Sequence, residues 1–305
     1  MTYELTPLHP IFGAELHGAD LREPPSPELI RLVNDAMAEY AVLVIRDQKI
    51  TDDDHIRFTR AFGSLELMPD LKMGKKGPGR VRPEMYDASN LDEKGDLITP
   101  ESTRASFNKG NELFHSDSSY NDLPTKWSLL MGHSVSPEGG NTEFVDMRAV
   151  YDALSDEMKA KVEDLVVEHY IWHSRRKGGL TGITPEMEAA MPPVHHPLVR
   201  VSENGRKALY LGGHASHVVG WPVEKGRALL DELYAFATRP ENIYAHKWKV
   251  GDLLIWDNRC TMHRGTPFPY FKYKRDLRAT RTLEFGPDRS STSAREMAAA
   301  EVHPA

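Results

Sequence analysis

A histidine and an aspartate two positions apart are the first side chains in this sequence that could do chemistry. They are His115 and Asp117, within residues 114–119. Residues i and i+2 of a β-strand point to the same face, so one imidazole and one carboxylate could hold a single cation. His263, which follows an apolar strand and a turn, is the best candidate for a third ligand. Two histidines and one carboxylate leave open positions on an octahedral metal, as in ferrous oxygenases.

The composition limits which chemistry is available. The chain has 305 residues, 40% of them hydrophobic and 27% charged, which is typical of a soluble globular protein. A net charge of −7 gives no basis for binding nucleic acid, and no apolar run is long enough for a membrane span. The single cysteine, Cys260, excludes an internal disulfide and a thiolate-rich zinc site. The first residues lack the features of a signal peptide, so we expect a cytoplasmic protein, and we also expect a homo-oligomer.

Many short strands and a few helices must position these side chains. Helices are predicted at 27–40, 52–62 and 223–237, with two short ones within 147–168. Strands are predicted at 41–45, 127–135, 142–145, 198–202, 207–211, 243–249, 252–256 and 277–285. This pattern favours an antiparallel β sandwich or barrel with peripheral helices. No repeat or domain boundary interrupts it, so we predict a single domain over residues 1–305.

Two stretches are less regular than the rest. Residues 64–110 have little periodicity and include a loop rich in glycine and lysine at 74–79, so we predict an active-site lid there. Residues 173–196 are rich in arginine, glycine and proline and are predicted to be an insertion. The basic run at 175–177 within it is interpreted as a solvated loop rather than an anion site.

The order and spacing of five residue types resemble those of the TauD/TfdA family of Fe(II)- and 2-oxoglutarate-dependent dioxygenases. The family carries His-x-Asp, then Thr or Ser, then a distant His and an Arg. Here these are His115, Asp117, Thr142, His263 and Arg275. Twenty-four residues lie between Asp117 and Thr142, and eleven between His263 and Arg275.

The likeness extends over nearly the whole chain. It is strongest to the 2,4-dichlorophenoxyacetate dioxygenase branch, through residues 115–119, 146–154 and 213–218. The resemblance implies a mainly β, double-stranded β-helix fold (a jelly roll) with helices on one side.

The resemblance also implies roles for individual residues. His115, Asp117 and His263 would bind Fe(II), and O2 would react there. Arg275 would pair with the distal carboxylate of 2-oxoglutarate, since a guanidinium fork suits a carboxylate, and Thr142 would donate a hydrogen bond to it. Asn111 and His214 occupy positions where related enzymes contact substrate, although each also fits a structural role. Both Trp127 and Trp256 are predicted to be core residues.

The strand near residue 280 leaves the arginine assignment open. Period two places Arg275, Ala279 and Arg281 on the inward face, and Arg278 on a polar face that looks solvated. The family often carries a second arginine four residues after the first, where this chain has Ala279. An alignment without a gap would instead make Arg278 that second arginine and leave Lys274 at the position of the first. We favour the alternation, with Arg281 contacting substrate, and keep Arg278 as an alternative for 2-oxoglutarate.

Three functions remain in view. The first is a dioxygenase that hydroxylates a small anionic molecule, such as an aryloxyalkanoate whose ether is then cleaved. The second is the same chemistry on an amino acid, a sulfonate or a natural-product intermediate. The third is a non-catalytic jelly roll that binds a metal or ligand. Succinate release that depends on substrate and Fe(II) separates the first two from the third.

Overall fold

The computed structural model describes residues 2–67, 79–202 and 204–285. Its strands are short, as the spacing of turn signals predicts. They are β1 (Glu4–Pro7), β2 (Ala14–His17), β3 (Val42–Ile45), β4 (Tyr86–Asp87), β5 (Thr125–Ser134), β6 (Thr142–Asp146), β7 (Val166–His169), β8 (Val194–Pro197), β9 (Val199–Val201), β10 (Lys207–Leu209), β11 (Ala215–Val218), β12 (Ile243–His246), β13 (Leu253–Asp257), β14 (Thr261–Gly265) and β15 (Asp276–Leu283).

The helices begin where the capping residues of the sequence indicate. Ser26 Oγ accepts the Leu29 N–H at 3.1 Å, and Thr51 forms a capping box with Asp54. The helices are α1 (Pro27–Tyr40), α2 (Asp52–Arg60), α3 (Thr103–Asn108), α4 (Met147–Asp152), α5 (Asp156–Val162), α6 (Ile171–Lys177), α7 (Pro185–Ala190) and α8 (Val223–Ala237).

Two facing layers of strands form the centre of the fold. The larger is a seven-stranded sheet in the order β1-β2-β3-β13-β5-β15-β4, antiparallel except between β2 and β3. The smaller layer contains the sheets β12-β6-β14 and β11-β7-β8, and β9 pairs with β10. Val44, Leu254 and Phe144 belong to one buried cluster that fills the space between the layers. Apolar burial between two sheets is what holds such a sandwich together.

Helices cover both outer faces of this sandwich. Helices α1 and α2 pack on the larger sheet, where Leu43 and Leu129 face Val33. Helices α4, α5 and α8 pack on the smaller layer around Val145 and Met262. The mainly β jelly roll with peripheral helices is therefore confirmed. The expectation of helices on one side is wrong, because the smaller layer also has an apolar outer face that must be covered.

Strand β15 alternates as predicted, but its polar face is not solvated. Thr280 and Thr282 on that face are fully buried. The Thr280 hydroxyl lies 2.6 Å from Thr59 Oγ1 and 3.0 Å from His55 Nε2, both on α2. Helix α2 thus covers this face and satisfies the Thr280 hydroxyl, while the Thr282 hydroxyl accepts the Trp127 N–H of β5.

The two irregular stretches contain more structure than their sequences suggest. Residues 64–110 include β4 and α3, while residues 68–78, with most of the glycine- and lysine-rich loop, lie outside the described residues. In the second stretch, Met187 of α7 packs with Trp172 of α6 and Phe107 of α3. The stretch at 173–196 is therefore a packed wall rather than a loose loop. The lid, the insertion and the single domain stay predictions.

The packing of α8 on β11 depends on a glycine. A Cβ at Gly226 would lie 2.7 Å from the backbone nitrogen of Val218. We expect Gly226→Ala to lower the free energy of unfolding by about 1–3 kcal/mol through overpacking, although alanine favours helix by about 1 kcal/mol over glycine. Denaturant unfolding measures the change. Glu232→Ala, at an exposed position of α8, is the control and should change stability by less than about 0.5 kcal/mol. A fully stable Gly226→Ala protein would contradict this packing.

Candidate active site

Backbone pairing brings two distant histidines together. The His115 N–H donates to the His263 carbonyl at 2.9 Å, and the His263 N–H donates back to the His115 carbonyl at 2.8 Å. This bridge extends the pairing at β14, and the centroids of the two rings are 4.4 Å apart. Residues that exchange both hydrogen bonds lie side by side, so the imidazoles share one face.

Asp117 reaches the same place from a turn rather than from a strand. Its N–H donates to Asn258 Oδ1 at 2.9 Å, and the next residue, Ser118, has a φ of 50°. Ser128 Oγ donates to Asp117 Oδ2 at 2.7 Å and accepts from Asn258 Nδ2 at 2.9 Å. The strand geometry assumed for His115 and Asp117 is therefore wrong, because Asp117 lies in a turn. Asn258 and Ser128 orient the carboxylate, where strand geometry was expected to do so.

The ligand atoms of the three side chains form a compact group. His115 Nε2 is 3.9 Å from Asp117 Oδ1, and His263 Nε2 is 3.7 Å from Asp117 Oδ2. One ligand atom from each residue lies within 4.8 Å of the other two. His115 Nδ1 is 2.7 Å from the Leu113 carbonyl, so a proton on Nδ1 would leave Nε2 free to accept a cation.

Burial and neighbouring charges set the protonation of this group. Burial lowers the pKa of His115. Burial, followed by repulsion from His115, lowers the pKa of His263 to about 3. Burial disfavours the Asp117 carboxylate, but Arg281 and the two histidines outweigh it and lower its pKa to about 2. Two neutral imidazoles and one carboxylate are the donor set that suits ferrous iron.

These three side chains line a cavity of about 300 Å³. That volume is at the lower end of the range for small-molecule sites. The cavity brings together every other predicted site residue except Arg278, namely Asn111, Thr142, His214, Arg275 and Arg281.

Arg275 is a half-buried cation with no carboxylate partner among the described residues. Its Nη2 donates to the Gly140 carbonyl at 3.2 Å, and its guanidinium lies 5.5 Å from the Phe268 ring. Burial lowers its pKa to about 10, with a small opposing effect of Tyr270. Thr142 Oγ1 accepts the indole N–H of a tryptophan, so its own proton can point to a ligand. Arg275 and Thr142 therefore offer a charge and a hydroxyl donor to an anion.

Arg281 lines the cavity, but its guanidinium is already paired with the carboxylate of Asp117. Its Nη2 donates to Asp117 Oδ1 at 2.6 Å, and its guanidinium lies 4.8 Å from the Tyr86 ring. A paired guanidinium has less charge to offer a second anion. The structure therefore favours a positioning role for Arg281 over the predicted substrate contact.

Arg278 does not reach the cavity. On the opposite face of β15, it forms ion pairs with Asp52 of α2 and with Asp276. The alternative in which Arg278 binds 2-oxoglutarate is therefore wrong in this structure, because the alternation of the strand turns its side chain away.

The two remaining predicted residues lie on the cavity wall close to the histidines. The His214 ring centroid is 5.5 Å from that of His115 and 4.8 Å from that of Tyr120. Burial lowers the pKa of His214 well below its usual value, so it is neutral. Asn111 Oδ1 accepts from Arg175 Nη1 at 2.9 Å. Both residues can therefore present neutral hydrogen-bonding groups to a ligand.

Two residues that line the cavity were assigned to other surroundings from the sequence. Arg175 is 4% exposed and lines the cavity, so the interpretation of 175–177 as a solvated loop is wrong for this residue. Its spacing from Ile171 and Trp172 does indicate the buried stripe of a helix. Trp256, expected in the core, also lines the cavity, with its ring 4.6 Å from that of His263.

A jelly roll with two histidines, one carboxylate and an arginine without a carboxylate partner among the described residues, all on a single cavity, has the features of an iron-dependent oxygenase that uses a keto acid. Comparison with known families agrees with this class. The model of the family "Taurine catabolism dioxygenase TauD, TfdA family" matches residues 4–281. The chain belongs to this family.

Individual relatives cover almost the full chain. A protein of Cupriavidus pinatubonensis, named alpha-ketoglutarate-dependent 2,4-dichlorophenoxyacetate dioxygenase, is 42% identical over 93% of this chain and 99% of its own. The (S)-phenoxypropionate/alpha-ketoglutarate-dioxygenase of Sphingobium herbicidovorans is 34% identical, over 87% of this chain and 90% of its own.

One solved structure has a sequence identity to this chain that is similar to that of the Cupriavidus protein. The crystal structure of AAD-2 with Mn(II) and N-oxalylglycine has a TM-score of 0.88 and 43% identity, and it covers 94% of this chain and 99% of its own. This chain is an Fe(II)- and 2-oxoglutarate-dependent dioxygenase that uses O2 to hydroxylate a small molecule. The non-catalytic alternative is therefore set aside. Among the described residues, every helix is too short or too polar for a membrane span.

The orientation of Asp117 by Ser128 generates a prediction. Ser128→Ala removes the hydroxyl that donates to Oδ2, so Fe(II) affinity should fall by about 10- to 100-fold, as is typical for the loss of a group that orients a metal ligand. Anaerobic titration with Fe(II) measures the affinity. Ser134→Ala, on the same strand and bonded to the Lys274 carbonyl, is the matched control and should leave it unchanged. Equal affinities in the two variants would contradict this role of Ser128.

Proposed function

We propose that His115, Asp117 and His263 hold the ferrous ion of this dioxygenase, and that its substrate is a small carboxylate of the aryloxyalkanoate class. The observation that carries the proposal is the convergence of these three side chains on a cavity that also presents Arg275. Neutral imidazoles and an ionised carboxylate suit ferrous iron and leave positions for a chelating keto acid and for dioxygen.

Arg275 and Thr142 would bind the distal carboxylate of 2-oxoglutarate. The half-buried Arg275 guanidinium has no acidic partner among the described residues, so a ligand carboxylate would offset the cost of its desolvation. Thr142 would donate its hydroxyl proton, because its oxygen already accepts from Trp248 Nε1 at 3.0 Å. Together they would fix the orientation of the keto acid.

Iron held by His115, Asp117 and His263 would activate dioxygen, so that oxidative decarboxylation of 2-oxoglutarate to succinate and carbon dioxide would drive hydroxylation of an unactivated C–H bond. One oxygen atom enters succinate and the other enters the substrate. If the hydroxylated carbon bears an ether oxygen, the product is a hemiacetal, which collapses to a phenol and a carbonyl acid. The protein contributes ligand geometry, a cationic clamp and a cavity that limits water.

The names of the relatives support an aryloxyalkanoate. The Cupriavidus protein is named for 2,4-dichlorophenoxyacetate and the Sphingobium protein for (S)-phenoxypropionate. The cavity of this chain combines aromatic walls, such as Tyr86 and Trp256, with polar groups at Asn111 and His214. Such a cavity suits an aromatic ring and a carboxylate, with Asn111 and His214 contacting the substrate.

A sulfonate, an amino acid or a natural-product intermediate is the second candidate. Ala279 lines the cavity at the position where the resemblance leads us to expect a second arginine. This departure favours an altered anion site. A panel of carboxylates and sulfonates, scored by coupled succinate formation, distinguishes the two candidates.

A cytoplasmic location and a homo-oligomeric state complete the proposal. The only cysteine, Cys260, is buried and free, which suits a reducing compartment. Fractionation of the source cells and light scattering of the purified protein test these two points.

The metal assignment predicts a loss of turnover. His115→Ala should abolish succinate formation that depends on substrate, because one of three iron ligands is removed. His195→Ala, at an exposed position of β8, is the matched control and should keep full turnover. Full turnover in His115→Ala would overturn the ligand assignment.

The assignment of Arg275 predicts a change in 2-oxoglutarate binding. Arg275→Gln should raise the 2-oxoglutarate requirement by about 10- to 150-fold, the equivalent of the 1.5–3 kcal/mol of a charged hydrogen bond. Arg278→Gln, on the same strand but facing Asp52, should leave it within about twofold of wild type if the strand register is correct. Steady-state kinetics with varied 2-oxoglutarate measure both. A raised requirement in Arg278→Gln, with none in Arg275→Gln, would contradict the assignment of Arg275 to 2-oxoglutarate.

A further inference from the structure

Arg175 is a second cation in the cavity, separate from Arg275 and more deeply buried. It lies on α6 and is 4% exposed, and its guanidinium carbon is 4.0 Å from the centre of the Phe107 ring. Both cation–π contact and burial hold the side chain in a fixed position.

The surroundings of Arg175 are shaped around its guanidinium. A Cβ at Gly110 would lie 2.1 Å from Arg175 Nη1, and a Cβ at Gly178 would lie 3.0 Å from the Gly110 backbone. Larger side chains at these two glycines would therefore displace the arginine or separate the segments that enclose it. The space for this guanidinium depends on residues that carry no side chain.

The charge of Arg175 is not balanced by an acidic side chain. Among the described residues its hydrogen-bond partner is the neutral Asn111 Oδ1, at 2.9 Å, and its buried Nε has no partner. By contrast, Arg281 pairs with Asp117, and Arg278 pairs with two aspartates. An arginine stays charged in a protein, and a buried charge without a counter-ion is costly. A cavity with such a charge is suited to an anionic ligand.

The surroundings of the two unpaired arginines differ. Arg175 donates to Asn111, which lies four residues before His115, whereas Arg275 donates to the Gly140 carbonyl and lies beside the Phe268 ring. Arg175 is therefore the arginine associated with the metal-ligand group. The distal carboxylate of 2-oxoglutarate is three carbons from its chelating keto carbon, so it needs a cation farther from the iron. An aryloxyalkanoate instead carries its carboxylate on the very carbon that is hydroxylated, so its cation must lie near the iron.

We propose that Arg175 binds the carboxylate of the substrate and, with Asn111, sets the specificity of this dioxygenase for anionic substrates. This inference rests on the proposed function and assigns its anion contact. Arg175 reaches the cavity from a helix, while the β15 position Ala279 contributes no charge. The free guanidinium edge would donate to the carboxylate as Nη1 donates to Asn111.

The test compares an acid with its neutral amide. Iron-loaded protein with 2-oxoglutarate is titrated anaerobically with phenoxyacetate and with phenoxyacetamide, and succinate formation is measured in air. Arg175→Gln should weaken phenoxyacetate binding at least tenfold, change phenoxyacetamide binding less than twofold and leave the 2-oxoglutarate requirement unchanged. Arg176→Gln, the next residue on α6 and paired with Glu188 at the surface, is the matched control and should behave as wild type.

A second variant separates charge from shape. Arg175→Lys keeps the charge but not the fork, so it should retain part of the preference for acid over amide, while Arg175→Gln loses it. Equal loss of both ligands in Arg175→Gln, or an unchanged preference for the acid, would overturn the inference while the proposed function stands. If the wild-type protein neither binds nor oxidises phenoxyacetate, the proposed substrate class fails, and the inference falls with it.

Discussion

The reciprocal backbone hydrogen bonds between His115 and His263 are the constraint on which the active site depends. They join a loop before β5 to strand β14, and thereby place two imidazoles on one face. Asp117 joins them because Asn258 and Ser128 hold the turn that carries it. The sandwich supplies the rigid frame, since β5, β13 and β14 are each paired on the sheets behind these residues. Iron binding therefore depends on strand pairing as much as on the ligands themselves.

The arginines around the three candidate metal ligands differ in whether an acidic side chain balances their charge. The Asp117 carboxylate has Arg281 as its partner, so the two side chains neutralise each other within the protein. Arg275 and Arg175 have no such partner among the described residues, and both line the same cavity. Two guanidinium groups without a counter-ion, one buried and one half-buried, suit two anions, and a dioxygenase acting on a carboxylate binds two, its keto acid and its substrate.

Parts of the site could be predicted from the sequence where they form a short motif or where residue types recur at characteristic distances along the chain. The His-x-Asp pair was predicted from residue types and spacing, Thr142 and Arg275 came from the resemblance to the family, and the alternation of β15 identified which arginines face inward. The turn at Asp117 was missed because i, i+2 spacing fits both a strand and this turn. Arg175 was missed because its burial depends on packing between α6 and α3, which are distant in sequence. The cover of α2 over Thr280 is likewise a tertiary contact that alternation alone does not reveal.

The most direct test of the central claim is an anomalous difference map at the iron absorption edge, from anaerobic crystals grown with Fe(II) and 2-oxoglutarate. The account predicts one strong peak within bonding distance of His115 Nε2, of an Asp117 carboxylate oxygen and of His263 Nε2. A peak at another position, or a fully iron-loaded protein in which any of these three side chains points away from the metal, would contradict it.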